Sequence, residues 1–318
     1  MKNIEREDLK IISRHSNLTE KGVARALKGN IYNNKEAWQK FLRLFFISLG
    51  IGFSVSGIIF FFAYNWADLH KFAKMALMEG LIIATTSFVL VTKINVTIRN
   101  IILTGAAALV GVLFVVFGQI YQTGADAYDF FLAWTVFVTS WVIVSNFAPL
   151  WILYLILINT TLVLYSKQVA TDWSEIFILT LLFIINSVVL ITAILISRYR
   201  QAANVPDWFL YTVALASACS ATMGIYIGIF GNIDGAFLVL ILITSIVYAL
   251  GIGHGLKAKN GFYLSVIPFS IIVIVSALLI NISHEGMMFF VVGLFIVASV
   301  TLVIKNLIEL QKKWTNEK

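Results

Sequence analysis

The chain has 318 residues, of which 60% are hydrophobic and only 12% charged, with a net charge of +7. A water-soluble domain carries about 45–50% apolar and about 25% charged residues, so this chain has too little polar material to coat a surface in water, and its excess faces lipid. Three prolines exclude a disordered, low-complexity chain. A single cysteine, Cys219, excludes an intramolecular disulfide and a multi-cysteine metal site.

The first 42 residues are charged and lack the short apolar core and small-residue cleavage site of a signal peptide. They are expected to form two or three short helices. Asn3 caps the first, with Glu5, Glu7 and Asp8 in its opening turns, where the helix dipole favours negative charge. Thr19 caps the second, with Glu20 just inside and Gly29–Asn30 at its end. Asn34 starts a third that runs through Trp38 and Phe41 into the membrane. The apolar positions, Leu9, Ile12, Leu18, Val23, Leu27 and Ile31, are too few for an independent core. The segment therefore reads as a basic helical cap on the membrane surface, with docking of a cytosolic protein as the sharper alternative.

A helix needs about 20 apolar residues to cross the hydrocarbon. Ten such runs follow in order: Leu44 to Tyr64, Phe72 to Val91, Ile101 to Gly118, Phe130 to Val144, Pro149 to Tyr165, Ile176 to Ile196, Trp208 to Phe230, Ala236 to Gly253, Phe262 to Ile282 and Met287 to Ile304. The fold class is thus an all-α polytopic transmembrane bundle of about ten helices. The fourth run is short for a full crossing, and a re-entrant fourth segment would invert everything after it.

Charge argues against that inversion. With the amino terminus inside, ten Lys and Arg lie in the segment through Arg43, and Lys93, Arg99, Arg198, Arg200, Lys257, Lys259, Lys305, Lys312, Lys313 and Lys318 lie in later inner segments. Only Lys71, Lys74 and Lys167 remain outside, which leaves twenty of the 23 basic residues on the inner side. Lys and Arg in short loops orient membrane proteins, so both termini are expected in the cytoplasm. Asp68, Asp126, Asp129, Asp172, Glu175, Asp234 and Glu285 fall on the outer side. The positive net charge therefore belongs to loops facing anionic headgroups and does not mark a nucleic-acid-binding surface. The chain divides into a cytoplasmic segment 1–42, spans one to five in 43–165, spans six to ten in 166–304, and a basic cytoplasmic tail 305–318.

Several polar residues stand within these runs. Glu79 lies about two turns into the second span, or roughly 10 Å deep. A carboxylate there costs several kcal/mol and belongs in a bundle interior or a wet cavity. It reads either as a protonated acid hydrogen-bonded to a neighbouring helix or as a proton or cation site, and both readings stay open. Asn159 and Asn186 sit near the middle of consecutive spans, where their amides can pair, more often as packing than as a substrate site. Gly224-x-x-x-Gly228 and Gly52-x-x-x-Ser56 have the spacing that lets helices approach closely.

The densest polar stretch is Gly118-Gln119-Ile120-Tyr121-Gln122-Thr123-Gly124-Ala125-Asp126-Ala127-Tyr128-Asp129, between the third and fourth spans. Asp126 or Asp129 can cap the fourth helix. On the same outer side the turn after the first span supplies Asn65, Trp66 and Asp68. Gln119, Tyr121 and Gln122 can satisfy backbone freed at the helix end. The excess of polar side chains over what a loop needs favours a small polar pocket for a headgroup or solute, with Glu79 beneath it. Asn65-Trp66, the Gly118–Asp126 block, Phe130-Phe131-Leu132-Ala133-Trp134 and Pro149-Leu150-Trp151 together resemble a family of bacterial membrane proteins, domain of unknown function 2157. The resemblance covers about residues 10–165. It implies a multi-pass protein of the bacterial cell (inner) membrane with a short cytosolic amino-terminal segment, and it carries no activity with it.

Two function classes follow. One is a transporter or a lipid- or solute-handling protein with a polar site at the outer ends of spans one to four. The other is a non-enzymatic envelope sensor or assembly scaffold that docks a partner through residues 1–42. No paired carboxylates, Ser/His arrangement, metal-ligand spacing or phosphate-binding glycine loop is visible, so neither an enzyme nor a bound cofactor is expected.

Overall fold

The computed structural model describes residues 19–30, 35–64, 69–121, 124, 126–199, 205–231, 234–282 and 286–316. Every regular element among them is an α-helix: α1 Glu20–Asn30, α2 Lys35–Tyr64, α3 Lys71–Val91, α4 Val96–Tyr121, α5 Ala127–Ser145, α6 Ala148–Gln168, α7 Glu175–Tyr199, α8 Asp207–Phe230, α9 Gly235–Lys257, α10 Tyr263–Ile282 and α11 Gly286–Asn316. The helices α2 to α11 are long and apolar enough to cross a membrane, and they coincide with the ten expected spans.

The ends follow local chemistry. Thr19 accepts a hydrogen bond from the Gly22 amide through Oγ1 at 3.3 Å and starts α1, as its sequence position suggests. The helix expected from Asn3 lies outside the described residues. The doubtful fourth span is a 19-residue helix, α5, or about 28 Å long, which matches the hydrocarbon core. Asn146 ends it in the left-handed region at φ 44, a conformation asparagine tolerates, and the chain reverses directly into α6. At the other end of the chain α11 runs 31 residues without a break. It passes well beyond Ile304 and carries the basic tail as helix.

The chain forms two compact units, residues 1–120 and 121–318. In the first, α2, α3 and α4 share a core of Phe62, Met78, Leu109 and Val116. Helix α2 packs against α4 at Gly105, where a Cβ would stand 2.5 Å from Ile51 Cγ2. Gly52 does not serve that purpose, because nothing lies within 4 Å of where its Cβ would be. The small residue that allows the approach sits on α4, one position across from the expected one on α2.

In the second unit α8 is the central helix, packed on α6, α7, α9 and α10. Between Phe209, Leu210 and Val213 at one end of its buried face and Ile225 and Ile229 near the other, that face carries the small residues Ala214, Ser217, Ala218, Ala221, Gly224 and Gly228, where neighbours can come close. Leu240 and Phe237 of α9 fill the spaces over Gly224 and Gly228; an added Cβ would meet them at 2.6 and 2.1 Å. The expected Gly-x-x-x-Gly contact is therefore present. Gly251 and Gly255 near the end of α9 likewise take Ile267 and Leu264 of α10. These contacts show α9 running antiparallel to both α8 and α10.

Candidate functional site

Polar side chains at mid-depth link five helices of the second unit. Asn159 on α6 donates through Nδ2 to Asn186 Oδ1 on α7 at 3.2 Å, and Asn186 Nδ2 returns a longer contact of 3.5 Å to Asn159 Oδ1. Asn186 also donates to the Leu182 carbonyl at 2.7 Å. The amide pairing expected from the sequence is thus formed. Beside it, the Ser187 and Ser217 hydroxyls are hydrogen-bonded at 2.7 Å between α7 and α8. Ser270 on α10 contacts the hydroxyls of Thr222 on α8 and Tyr248 on α9, each at 2.6 Å. In hydrocarbon no water competes for these groups, so pairing across helices is their best satisfaction.

The amide pair is not sealed by packing. It borders a pocket of about 280 Å³ lined by Asn159, Thr160, Val163, Leu164, Leu182, Asn186, Ala216 and Ser220. Four of these eight residues carry a side-chain amide or hydroxyl. Asn186 is 1% exposed and fixed by its Leu182 bond, whereas Asn159 is half-buried and faces the opening. Sequence reading found the two asparagines and missed Thr160 and Ser220, because an isolated hydroxyl in a membrane helix usually bonds its own i−4 carbonyl. Ser220 does so, donating to the Ala216 carbonyl at 3.0 Å.

A second and larger cavity, about 510 Å³, lies where α5 ends, α6 begins, α7 ends and α8 begins. Its walls include Phe147, Trp151, Val189, Ile196, Trp208 and Phe209 with Asn146 and Thr192, and among the described residues no charged residue lines it. Pro149 near the start of α6 and Pro206 at the start of α8 hold its rim.

The other residues singled out in the sequence are placed as follows. Asp126 and Asp129 come together as a capping box on α5: the Asp126 amide donates to Asp129 Oδ2 at 3.1 Å. The Tyr128 amide donates to Gln168 Oε1 at 2.9 Å, which ties the start of α5 to the end of α6. Rings of Tyr128, Tyr165, Trp173 and Phe177 continue the contact edge to face, with centroids 5.4, 5.6 and 5.1 Å apart. Gln119 and Tyr121 are exposed in the last turn of α4. Glu79 is exposed on α3, eight residues from its start, while the adjacent Met78 is fully buried in the core of the first unit. Lys74 is only 6% exposed and lies one turn from Met78, so its aliphatic stem covers apolar surface. Asn65, Trp66, Asp68 and Gln122 lie outside the described residues. Among the described residues no group of three or more His, Cys, Asp or Glu could hold a metal ion.

No curated protein and no solved structure is significantly similar to the chain. Residues 18–151, from just ahead of α1 into the first turn of α6, match the family described as Predicted membrane protein (DUF2157), and the ten apolar helices make the protein a multi-pass membrane protein.

Proposed function

We propose that this protein handles a small polar ligand inside the bilayer, either a free solute or a lipid headgroup, as a transporter-type protein and not as an enzyme. The observation that carries the reading is the mid-depth pocket beside Asn159 and Asn186. Polar groups in hydrocarbon are costly and are normally consumed by pairing. Here two amides and two hydroxyls border open volume, at the depth where transporters commonly place their sites. The proposed setting is a bacterial inner membrane with both termini in the cytoplasm. Ten crossings put the two ends on one side, and the twenty-to-three partition of basic residues selects the inner one.

The reading is tested by reconstituting the full chain in liposomes and measuring solute entry and the scrambling of a headgroup-labelled lipid. One of the two is expected to exceed protein-free liposomes and to fall in the Asn159→Leu/Asn186→Leu protein; neither exceeding them overturns the proposal. Glu79 and Gln119, both exposed in the first unit, are second candidates for a polar contact of their own, and Glu79→Gln/Gln119→Ala is expected to lower the rate by about tenfold, the equivalent of one good hydrogen bond. An unchanged rate removes both as candidates.

A second reading, the docking scaffold, is supported by α1. Val23 and Leu27 stand one turn apart and are half-buried, while Lys21 and Lys28 are exposed. Deleting residues 1–34 is expected to leave the ten spans inserted and to strip any cytosolic partner from the purified protein. A partner that persists after the deletion removes this reading.

A further inference from the structure

We infer that the ligand of the mid-depth pocket is an uncharged, hydroxyl-bearing molecule of the small polyol class. The inference rests on the proposed handling of a small polar ligand at that pocket. Of its four polar side chains, Asn159 and Thr160 keep both a donor and an acceptor for a ligand, whereas Asn186 and Ser220 spend their donors on Leu182, Asn159 and Ala216 and offer acceptors. A polyol hydroxyl both donates and accepts and so matches a lining that offers both roles, whereas a carboxylate only accepts and an ammonium only donates.

Charge points the same way. Among the described residues no ionisable side chain lines the pocket. Along the three helices that build it, the nearest charges are Lys167 on α6, Glu175 on α7 and Asp207 on α8, at least seven residues from the polar lining residues. At 1.5 Å per residue that is about 10 Å or more. An ion placed there would meet the desolvation cost of hydrocarbon with no counter-charge, and that cost exceeds what neutral hydrogen bonds return. A neutral polyol leaves fewer groups unsatisfied, because its hydroxyls bond to the two amides and two hydroxyls. The remaining walls, Val163, Leu164, Leu182 and Ala216, suit the C–H faces of such a molecule. The volume of about 280 Å³ gives room for a small polyol.

The test is solute entry into proteoliposomes holding the full chain, followed by light scattering, with xylitol and sorbitol set against gluconate, choline and glycine. The polyols are expected to enter well above protein-free liposomes while the charged and zwitterionic probes stay at background. Thr160→Val and Ser220→Ala should each slow the polyols by about tenfold, one hydrogen bond's worth. Neither residue joins two helices in the structure, so both variants are expected to fold, with size-exclusion behaviour as the check. Thr212→Val, on the exposed face of α8 where Thr212 only bonds the Trp208 carbonyl, should leave the rate unchanged. Entry of gluconate, choline or glycine without the polyols overturns the ligand class and leaves the handling function standing. Polyol entry unaffected by Thr160→Val and Ser220→Ala overturns the assignment to this pocket. No entry of any probe, with no lipid scrambling, overturns the underlying reading itself.

Discussion

Asn159→Leu is expected to destabilise the protein more than Asn186→Leu, and the double replacement is expected to be milder than Asn159→Leu alone. Removing Asn159 leaves Asn186 Oδ1 without its donor in a side chain that is 1% exposed. An unsatisfied buried polar atom costs about 1–3 kcal/mol. Removing Asn186 instead strands Asn159, which borders open volume and can recruit water there, so the cost should fall in the lower part of that range. With both replaced, nothing polar is left unpaired. Leucine is close in shape to asparagine, and the pocket has room for its extra volume. Interhelical hydrogen bonds in membranes contribute about 0.6 kcal/mol on average, so the double variant should lie within about 1 kcal/mol of the parent. The check is thermal unfolding in detergent of all four proteins. A double variant as unstable as the sum of the singles would show that the asparagines act separately and not as a pair.

Gly228→Leu carries the largest expected loss of stability. A Cβ at that position would lie 2.1 Å from the Phe237 ring, and the ring is itself 6% exposed and enclosed by the core around Phe183, Leu240 and Ile225. Neither partner can move without displacing the start of α9 from α8. Overpacking of this kind costs about 1–3 kcal/mol, and with a full side chain added the upper part of that range is expected. Gly235→Leu, where nothing lies within 4 Å of the added Cβ, is the matched comparison at the start of α9 and should cost far less. Equal melting temperatures for the two variants would sink the claim that the Gly228–Phe237 contact sets the α8–α9 distance.

The two predictions also show where sequence and structure part company. The ten spans were legible because each is a continuous apolar stretch, and no other arrangement satisfies the backbone of such a run in lipid. The caps at Thr19 and at Asp126 with Asp129 were legible for the same local reason, since their partners lie within three residues. The Asn159–Asn186 pair could be anticipated because the two residues share depth on consecutive antiparallel helices. Ser187 with Ser217 and the Thr222–Ser270–Tyr248 group could not be. Thr161, Thr212 and Ser245 have the same local setting and bond only to their own helices, so nothing in the local sequence distinguishes a hydroxyl that crosses from one that does not. The Gly52 spacing illustrates the converse: a small residue permits close approach but does not compel it.

From the amino acids alone follow the membrane environment, the number of crossings and the basic and acidic loops between them. These depend on composition and on charges within one segment, and transfer from water to lipid decides them one helix at a time. Which polar residues face one another, that α8 is the helix its neighbours share, and that an amide pair borders open volume while other polar contacts are closed were decided by tertiary packing. Those outcomes depend on rotation and neighbour choice among helices whose outer surfaces are nearly equivalent in hydrophobicity. With lipid as the solvent no apolar face is strongly preferred inward, and the fit of small residues against large ones settles the arrangement.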